Sequence, residues 1–225
     1  GVFRALGDWH LIHHRWQAAA DCYLLLPLAN RFIPSEKIPD TGDMIRTAPA
    51  LVMAGTDDVY EAHRALLIDR FAATTNSNAA EQLVKMCLLR PATQELIQRL
   101  SPTAEFLRKN ASGEGPRMSL LVHTAIALYE MRAGNPAEAI RWADRALPQA
   151  GQSSFARGDY QAFLRSILVM ACRQSGDVTR AEAEARVVRE FVQMHGEAFN
   201  KPGVPEGTYF VPLIERALAI ILARE

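Results

Sequence analysis

No stretch of this sequence stays apolar for the roughly 18–20 residues that a membrane-crossing helix needs. The longest apolar runs, near residues 24–28 and 218–222, are far shorter. That excludes a helical membrane protein and places the expected chain in the cytoplasm. An excess of one charge is equally lacking, because 25 Lys and Arg meet 25 Asp and Glu for a formal net charge of zero. Such a surface has no electrostatic drive toward nucleic acid or an anionic bilayer, so neither is an expected partner. Cysteine is scarce. Cys22, Cys87 and Cys172 are odd in number and far apart within helix-like segments, which suits three small core residues in a reducing compartment. No secretory signal pattern is present. The chain opens Gly1-Val2-Phe3 without Met, already in a helical pattern, which suggests excision from a longer polypeptide.

Two-residue alternation of β-branched side chains is also absent, and spacings of three and four dominate instead. Ala139, Ile140, Ala143, Ala146 and Leu147 recur at that spacing, with Arg141, Asp144 and Arg145 between them, as on an amphipathic helix with one buried face. The predicted fold class is therefore all-α. Short turns punctuate the helices at His14-Arg15, Gly55-Thr56-Asp57-Asp58, Arg90-Pro91, Gly134-Asn135-Pro136 and Gly176-Asp177. Gly suits a helix C-terminus, Asn or Asp the next N-cap, and Pro a helix's first turn. The steps His14 to Gly55, Gly55 to Arg90, Arg90 to Gly134 and Gly134 to Gly176 are 41, 35, 44 and 42 residues. A period near 40 signals stacked helical hairpins.

We divide the chain into one repeat domain, 1–225, with hairpins at about 2–31, 43–73, 77–109, 117–148 and 159–195. Loops rich in Gly, Pro or Ser fall at 33–42, 110–116, 148–158 and 196–208. An amphipathic helix at about 209–224 has no hairpin partner and is expected to cap the end of the stack.

Aligned on their turns, the units share a pattern. The first runs Phe3, Leu6, Gly7, then Trp16, Ala19, Tyr23, Leu26 and Pro27. The fourth has Ala127, Gly134, Ala139, Ala143, Ala146 and Pro148, and the fifth keeps Gly176-Asp177 and Ala181. This resembles the tetratricopeptide repeat, in which small residues let the two helices of a hairpin cross closely. The second unit has a stretched turn. The third has Arg90 for the turn Gly and lacks the buried Ala, so these two rest mainly on spacing. The resemblance covers about residues 2–195 and implies a right-handed α-solenoid of about five hairpins.

Further strings are similar to a narrower group. Phe3-Arg4-Ala5-Leu6-Gly7-Asp8-Trp9-His10, Arg15-Trp16-Gln17-Ala18-Ala19, Arg70-Phe71-Ala72-Ala73-Thr74-Thr75, Ala79-Ala80-Glu81 and Lys85-Met86-Cys87-Leu88-Leu89-Arg90-Pro91 occur in order. They resemble the C-terminal repeat regions of large bacterial serine/threonine protein kinases. The resemblance implies a signalling kinase as parent polypeptide, not kinase activity here. The chain has no His-Arg-Asp, no Asp-Phe-Gly and no Gly-x-Gly-x-x-Gly, and its Gly113-Glu114-Gly115 lies between helices without a preceding strand.

No catalytic centre, cofactor or metal is expected. His10 and His14 stand four apart with His13 between them and Cys22 nearby, a spacing that can hold a metal, but no second ligand pair follows. His14 equally suits a helix C-terminus, where the dipole favours it. Ser153-Ser154 has no motif context, and His63, His123 and His195 lie on separate helices as packing or surface residues. Met118, Met131, Met170, Tyr129 and Trp142 read as core.

The resemblance further implies a concave groove lined by the first helices of the hairpins. Its positions fall on Arg4, Asp8 and Leu11 in the first hairpin and Thr124, Leu128, Met131 and Arg132 in the fourth. In the fifth they fall on Ser166, Met170, Arg173 and Gln174, and in the middle on apolar residues including Val52, Val84 and Cys87. Asp8 would repel a peptide carboxylate, which argues against a clamp for C-terminal tails. The expected partner is a protein or peptide, such as an amphipathic helix, or other repeats of the parent chain. Three alternatives stand beside it: a regulator that takes a small molecule or signal peptide in the groove, residues that merely cover the groove, and an enzyme with an unfamiliar helical site for which His10, His13 and His14 are the only candidates.

Overall fold

The computed structural model describes residues 2–26, 43–113, 115–152 and 158–196. Among them are ten α-helices and no strand. We label them α1 (Val2–Ile12), α2 (Trp16–Leu24), α3 (Met44–Ala54), α4 (Asp57–Phe71) and α5 (Ser77–Cys87). The remainder are α6 (Gln94–Asn110), α7 (Pro116–Arg132), α8 (Pro136–Gln152), α9 (Gly158–Ser175) and α10 (Val178–Gly196). The expected capping helix at 209–224, the end of the first hairpin at 27–31 and Ser153-Ser154 lie outside the described residues.

Local chemistry sets where helices begin. The Asn76 side chain accepts from the Ala79 amide at 3.0 Å and the Thr93 hydroxyl from the Leu96 amide at 3.3 Å, capping α5 and α6. Asp177 does the same for Arg180 at 3.0 Å at the start of α10. Each satisfies a donor that the first helical turn leaves unpaired. Pro116 opens α7, where its missing N–H costs nothing.

Four reversals share one construction. His14, Gly55, Gly134 and Gly176 have φ of 57°, 75°, 83° and 83°. Each donates its amide to the carbonyl three residues back, and the next residue donates to the carbonyl five back: Arg15 to His10, Thr56 to Leu51, Asn135 to Glu130 and Asp177 to Cys172. This is the left-handed helix stop that pairs the last carbonyls with the chain leaving them. The third reversal differs. No glycine stands there, and the chain takes the longer path 88–93 between α5 and α6. The expected stop at Pro148 is also revised, because α8 runs through it to Gln152. Ala150 beyond the proline is buried, so packing outweighs the lost backbone hydrogen bond.

Each described helix packs on the next one, including α2 on α3 across residues 27–42. The first helices of successive pairs also touch: α3 meets α5, α5 meets α7, and α7 meets α9. The result is a repeat-like row with a continuous core from Leu11 to Phe191. Small residues mark the crossings, with Ala19, Ala139, Ala143 and Ala146 fully buried. Gly7 is the tightest. A Cβ built there would lie 2.3 Å from Cε1 of the buried Tyr23 ring, whose hydroxyl is fixed on Asp8 at 2.8 Å.

Two substitutions should therefore run against simple expectation. Alanine favours a helix over glycine by about 1 kcal/mol, yet Gly7→Ala should lower unfolding free energy by about 1–3 kcal/mol through overpacking. Denaturant titration reads the sign. At the turns, Gly134 has open space around it, so Gly134→Ala isolates backbone strain and should cost about 1 kcal/mol. His14→Gly should instead raise the midpoint, since it relieves the same strain at the turn without glycine.

Candidate functional site

The row of first helices forms the candidate surface, and α5 is its centre. Every residue from Ala79 to Leu89 is buried, because α3, α4, α6 and α7 all pack on α5. The burial includes charge. Glu81 and Lys85, one turn apart, pair at 2.5 Å with side chains 1% and 7% exposed. Burial raises the Glu81 carboxyl above its usual range, while Lys85 and Arg117 pull it back. The Lys85 ammonium also lies 5.7 Å from the centre of the Tyr160 ring on α9. An isolated charge at this depth would be strongly destabilising, so the pair is retained as a unit.

The C-terminus of α5 has no left-handed residue to gather its carbonyls, and side chains from other helices serve instead. The Tyr60 hydroxyl donates to the Met86 carbonyl at 2.8 Å. Arg64 donates to the Cys87 and Pro91 carbonyls at 3.4 and 3.2 Å. Arg132, arriving from α7, donates to the Leu88 and Leu89 carbonyls at 3.1 and 3.2 Å. Two guanidinium forks and a phenol thus replace the glycine turn. They also clamp α4, α5 and α7 together.

The groove residues read from the sequence fall into three groups. Leu11, Thr124, Leu128, Met131, Ser166 and Met170 are buried, with Thr124 and Ser166 hydroxyls returned to the Leu120 and Ala162 carbonyls of their own helices at 2.8 Å. Arg4, Asp8 and Arg132 are partly buried and hold neighbouring helices. Arg4 pairs with Asp43 at 2.8 Å, and Asp8 accepts from Tyr23 at 2.8 Å and from Arg46 at 3.2 Å. Arg173 and Gln174 are exposed at the end of α9. Gln174 lies 3.8 Å from the Met131 sulfur, joining the ends of α9 and α7. Val84 and Cys87 are fully buried, and Val52 nearly so.

Tyr60, Arg64 and the Glu81–Lys85 pair were missed by sequence reading. Their only local signal is the absence of glycine at the third reversal, and their partners lie 23 to 27 residues away for the capping groups.

The histidines at the first reversal turn toward aromatic rings. His10 and His13 lie 5.0 and 4.4 Å from the Trp9 ring, and His14 lies 5.6 Å from Trp16. His13 Nδ1 is 2.7 Å from the Trp9 carbonyl, and Arg15 stacks 5.0 Å over Trp9. No group of three or more potential metal ligands occurs among the described residues. His123 sits 5.3 Å from Trp142. Cys22, Cys87 and Cys172 are free thiols, and burial raises all three above the ordinary thiol range. No helix among the described residues is long and apolar enough to cross a membrane.

No family model matches this chain, and neither does any curated protein or solved structure.

Two measurements separate structural from accessible groups. Arg132→Met should lower unfolding free energy by about 1–3 kcal/mol by leaving two carbonyls short of donors, and Lys should restore little because it lacks the planar fork. Arg173→Glu, at an exposed position, should stay within about 0.5 kcal/mol of the parent. Second, His63 is 8% exposed, its Nε2 has no hydrogen-bond partner, and burial depresses its pKa to about 4. A depressed imidazole means that the unfolded chain binds the proton first. Its stabilising contribution is full above about pH 6.5 and is lost as pH falls toward 4, by about 3 kcal/mol in all. Equilibrium unfolding between pH 7 and 4 should show that slope, and His63→Leu should flatten it by the same amount.

Proposed function

We propose that this chain is a non-catalytic protein–protein interaction scaffold, built from about five tetratricopeptide-like hairpins stacked as a right-handed α-solenoid. The observation that carries the reading is the recurrence of one turn. Four reversals with the same two backbone hydrogen bonds set four antiparallel pairs, and α3, α5, α7 and α9 align in a row. An extended row presents one long surface to a partner. Tyr23, Tyr60, His63, Glu81 and Cys87, whose ionisation burial disfavours, are all enclosed by packing, which favours a scaffold over a catalyst.

We also propose that the scaffold is the C-terminal repeat region of a bacterial serine/threonine protein kinase. This rests on the ordered resemblance of segments from Phe3 to Pro91, where the same stretches now have structural reasons. Gly7 accommodates Tyr23, and Lys85 through Leu89 are the buried end of α5 and the turn after it, where side chains cap the carbonyls.

The partner is a protein or peptide held at the end of α9, where Arg173 and Gln174 are exposed. An amphipathic helix with an acidic residue offers that arginine an ion-pair partner. Display of a library of amphipathic helical peptides against the folded chain tests this. Enriched peptides should bind in the micromolar range, and Arg173→Glu with Gln174→Ala should weaken them at least tenfold while circular dichroism stays unchanged. Enrichment of no peptide, or binding indifferent to the double substitution, overturns the assignment.

A further inference from the structure

The first helix of the row carries an apolar face that its counterparts bury. Counting back from the left-handed turn residue puts the helices in register. Eight residues before it stand Leu6 in α1, Thr47 in α3, Ile126 in α7 and Leu168 in α9. Leu6 is 44% exposed, whereas the others are 3%, 0% and 0% exposed. Twelve before it, Val2 is 79% exposed, whereas Val122 and Leu164 are fully covered. Phe3, also 41% exposed, lies on the same side. With Trp9, His10 and His13, these residues recur every three or four positions and make one continuous stripe. The opposite side of α1, with Gly7 and Leu11, is the one buried in the fold.

The structure shows what covers the equivalent stripe elsewhere. Five and four residues before the turn in α7 stand Tyr129 and Glu130. The Tyr129 hydroxyl donates to the Ile97 carbonyl on α6 at 3.3 Å, and Arg108 on α6 pairs with Glu130 at 2.5 Å. The covering element is therefore the second helix of the preceding hairpin. The same relation recurs where α2 packs on α3, α4 on α5 and α8 on α9. In α1 the two positions are Trp9 and His10. Among the described residues no such helix lies beside them; Trp9 is wrapped by His10, His13 and Arg15, and His10 Nδ1 is enclosed without a hydrogen-bond partner.

We propose that the stripe Val2, Phe3, Leu6, Trp9, His10 and His13 is the docking face for the second helix of one further hairpin of the same type, joined ahead of α1 in the same polypeptide. The inference rests on the stacked-hairpin reading and gives one end of the row its partner. The chemistry of that helix follows from α1. It presents an apolar stripe to Val2, Phe3 and Leu6. Where α6 offers Arg108 to Glu130, it carries a carboxylate toward His10 and Arg15. A source in the same chain is favoured because α4, α6 and α8 each lead through a short link directly into the first helix that they cover.

Two fusions test this, with residues 77–113 or 116–152 of this chain placed ahead of residue 1 through a short Gly/Ser linker. The tether raises the effective concentration of the added hairpin to the millimolar range, so even a weak fit registers. In at least one fusion the melting midpoint should rise by about 5 °C as a single transition, with amides of α1 protected at least tenfold more in hydrogen exchange. Leu6→Glu should abolish both gains, yet shift the unfused chain by no more than about 1 °C, as expected for an exposed position. If both added hairpins melt independently with α1 exchange unchanged, or the gains survive Leu6→Glu, the proposal falls. Self-association of the unfused chain that Leu6→Glu abolishes would assign the face to a second copy, and overturns it equally. Either failure leaves peptide binding near Arg173 untouched, so it is distinguishable from failure of the scaffold reading.

Discussion

A helix that reverses within two residues cannot leave its last carbonyls without donors, and the architecture of this chain follows from how that requirement is met. At His14, Gly55, Gly134 and Gly176 the backbone itself supplies the donors by entering the left-handed region. The reversal is then short and its geometry fixed. A fixed reversal sets which faces of the two helices meet, and hence where Ala19 or Ala143 must be small. Repeated turns place successive first helices side by side. Row, core and exposed ends all inherit their register from one local conformation.

The end of α5 shows the same requirement met at long range. Without a glycine, its carbonyls are collected by Tyr60 and Arg64 from α4 and by Arg132 from α7. The two solutions differ in consequence. A glycine turn makes a hairpin self-sufficient, whereas side-chain caps bind three helices into one unit. The middle of the chain is accordingly the most enclosed, and α5 can hold the Glu81–Lys85 pair away from water. The buried phenol and guanidinium would themselves be costly without the carbonyls they satisfy, so caps and capped groups stabilise each other.

This contrast explains what could be read from residues alone. The helices and the three reversals at Gly55, Gly134 and Gly176 were legible because φ > 0 selects glycine locally, and because buried faces leave a period in the sequence. The capping role of Arg132 was not legible. Its partners are 43 and 44 residues away, and an arginine at a helix C-terminus looks the same whether it faces solvent or a carbonyl. Which of the expected groove positions are accessible was not legible either. Met131 and Arg173 both stand three residues before the turn residue of their helices, yet Met131 is buried and Arg173 exposed, since burial depends on every neighbour at once. Likewise Leu6 and Leu168 are identical residues at one repeat position, and only the helix beside them separates 44% from 0% exposure.

The zero net charge takes on a different meaning once the pairs are placed. Arg4 meets Asp43, Arg46 meets Asp8, Arg108 meets Glu130, and Arg165 meets Glu184, each joining two different helices. Part of the balanced charge is thus taken up in cross-links between elements packed side by side. Such pairs contribute modestly to stability in isolation, but they penalise a slipped register, in which like charges would meet. A partner consequently encounters a surface whose paired charges are already engaged by the fold. On the proposed scaffold reading, recognition falls to exposed side chains: Arg173 and Gln174 at the end of α9, and an apolar stripe with histidines at α1. On that reading the two surfaces differ in chemistry, so one row would hold two unlike neighbours at once without either competing for the other's face.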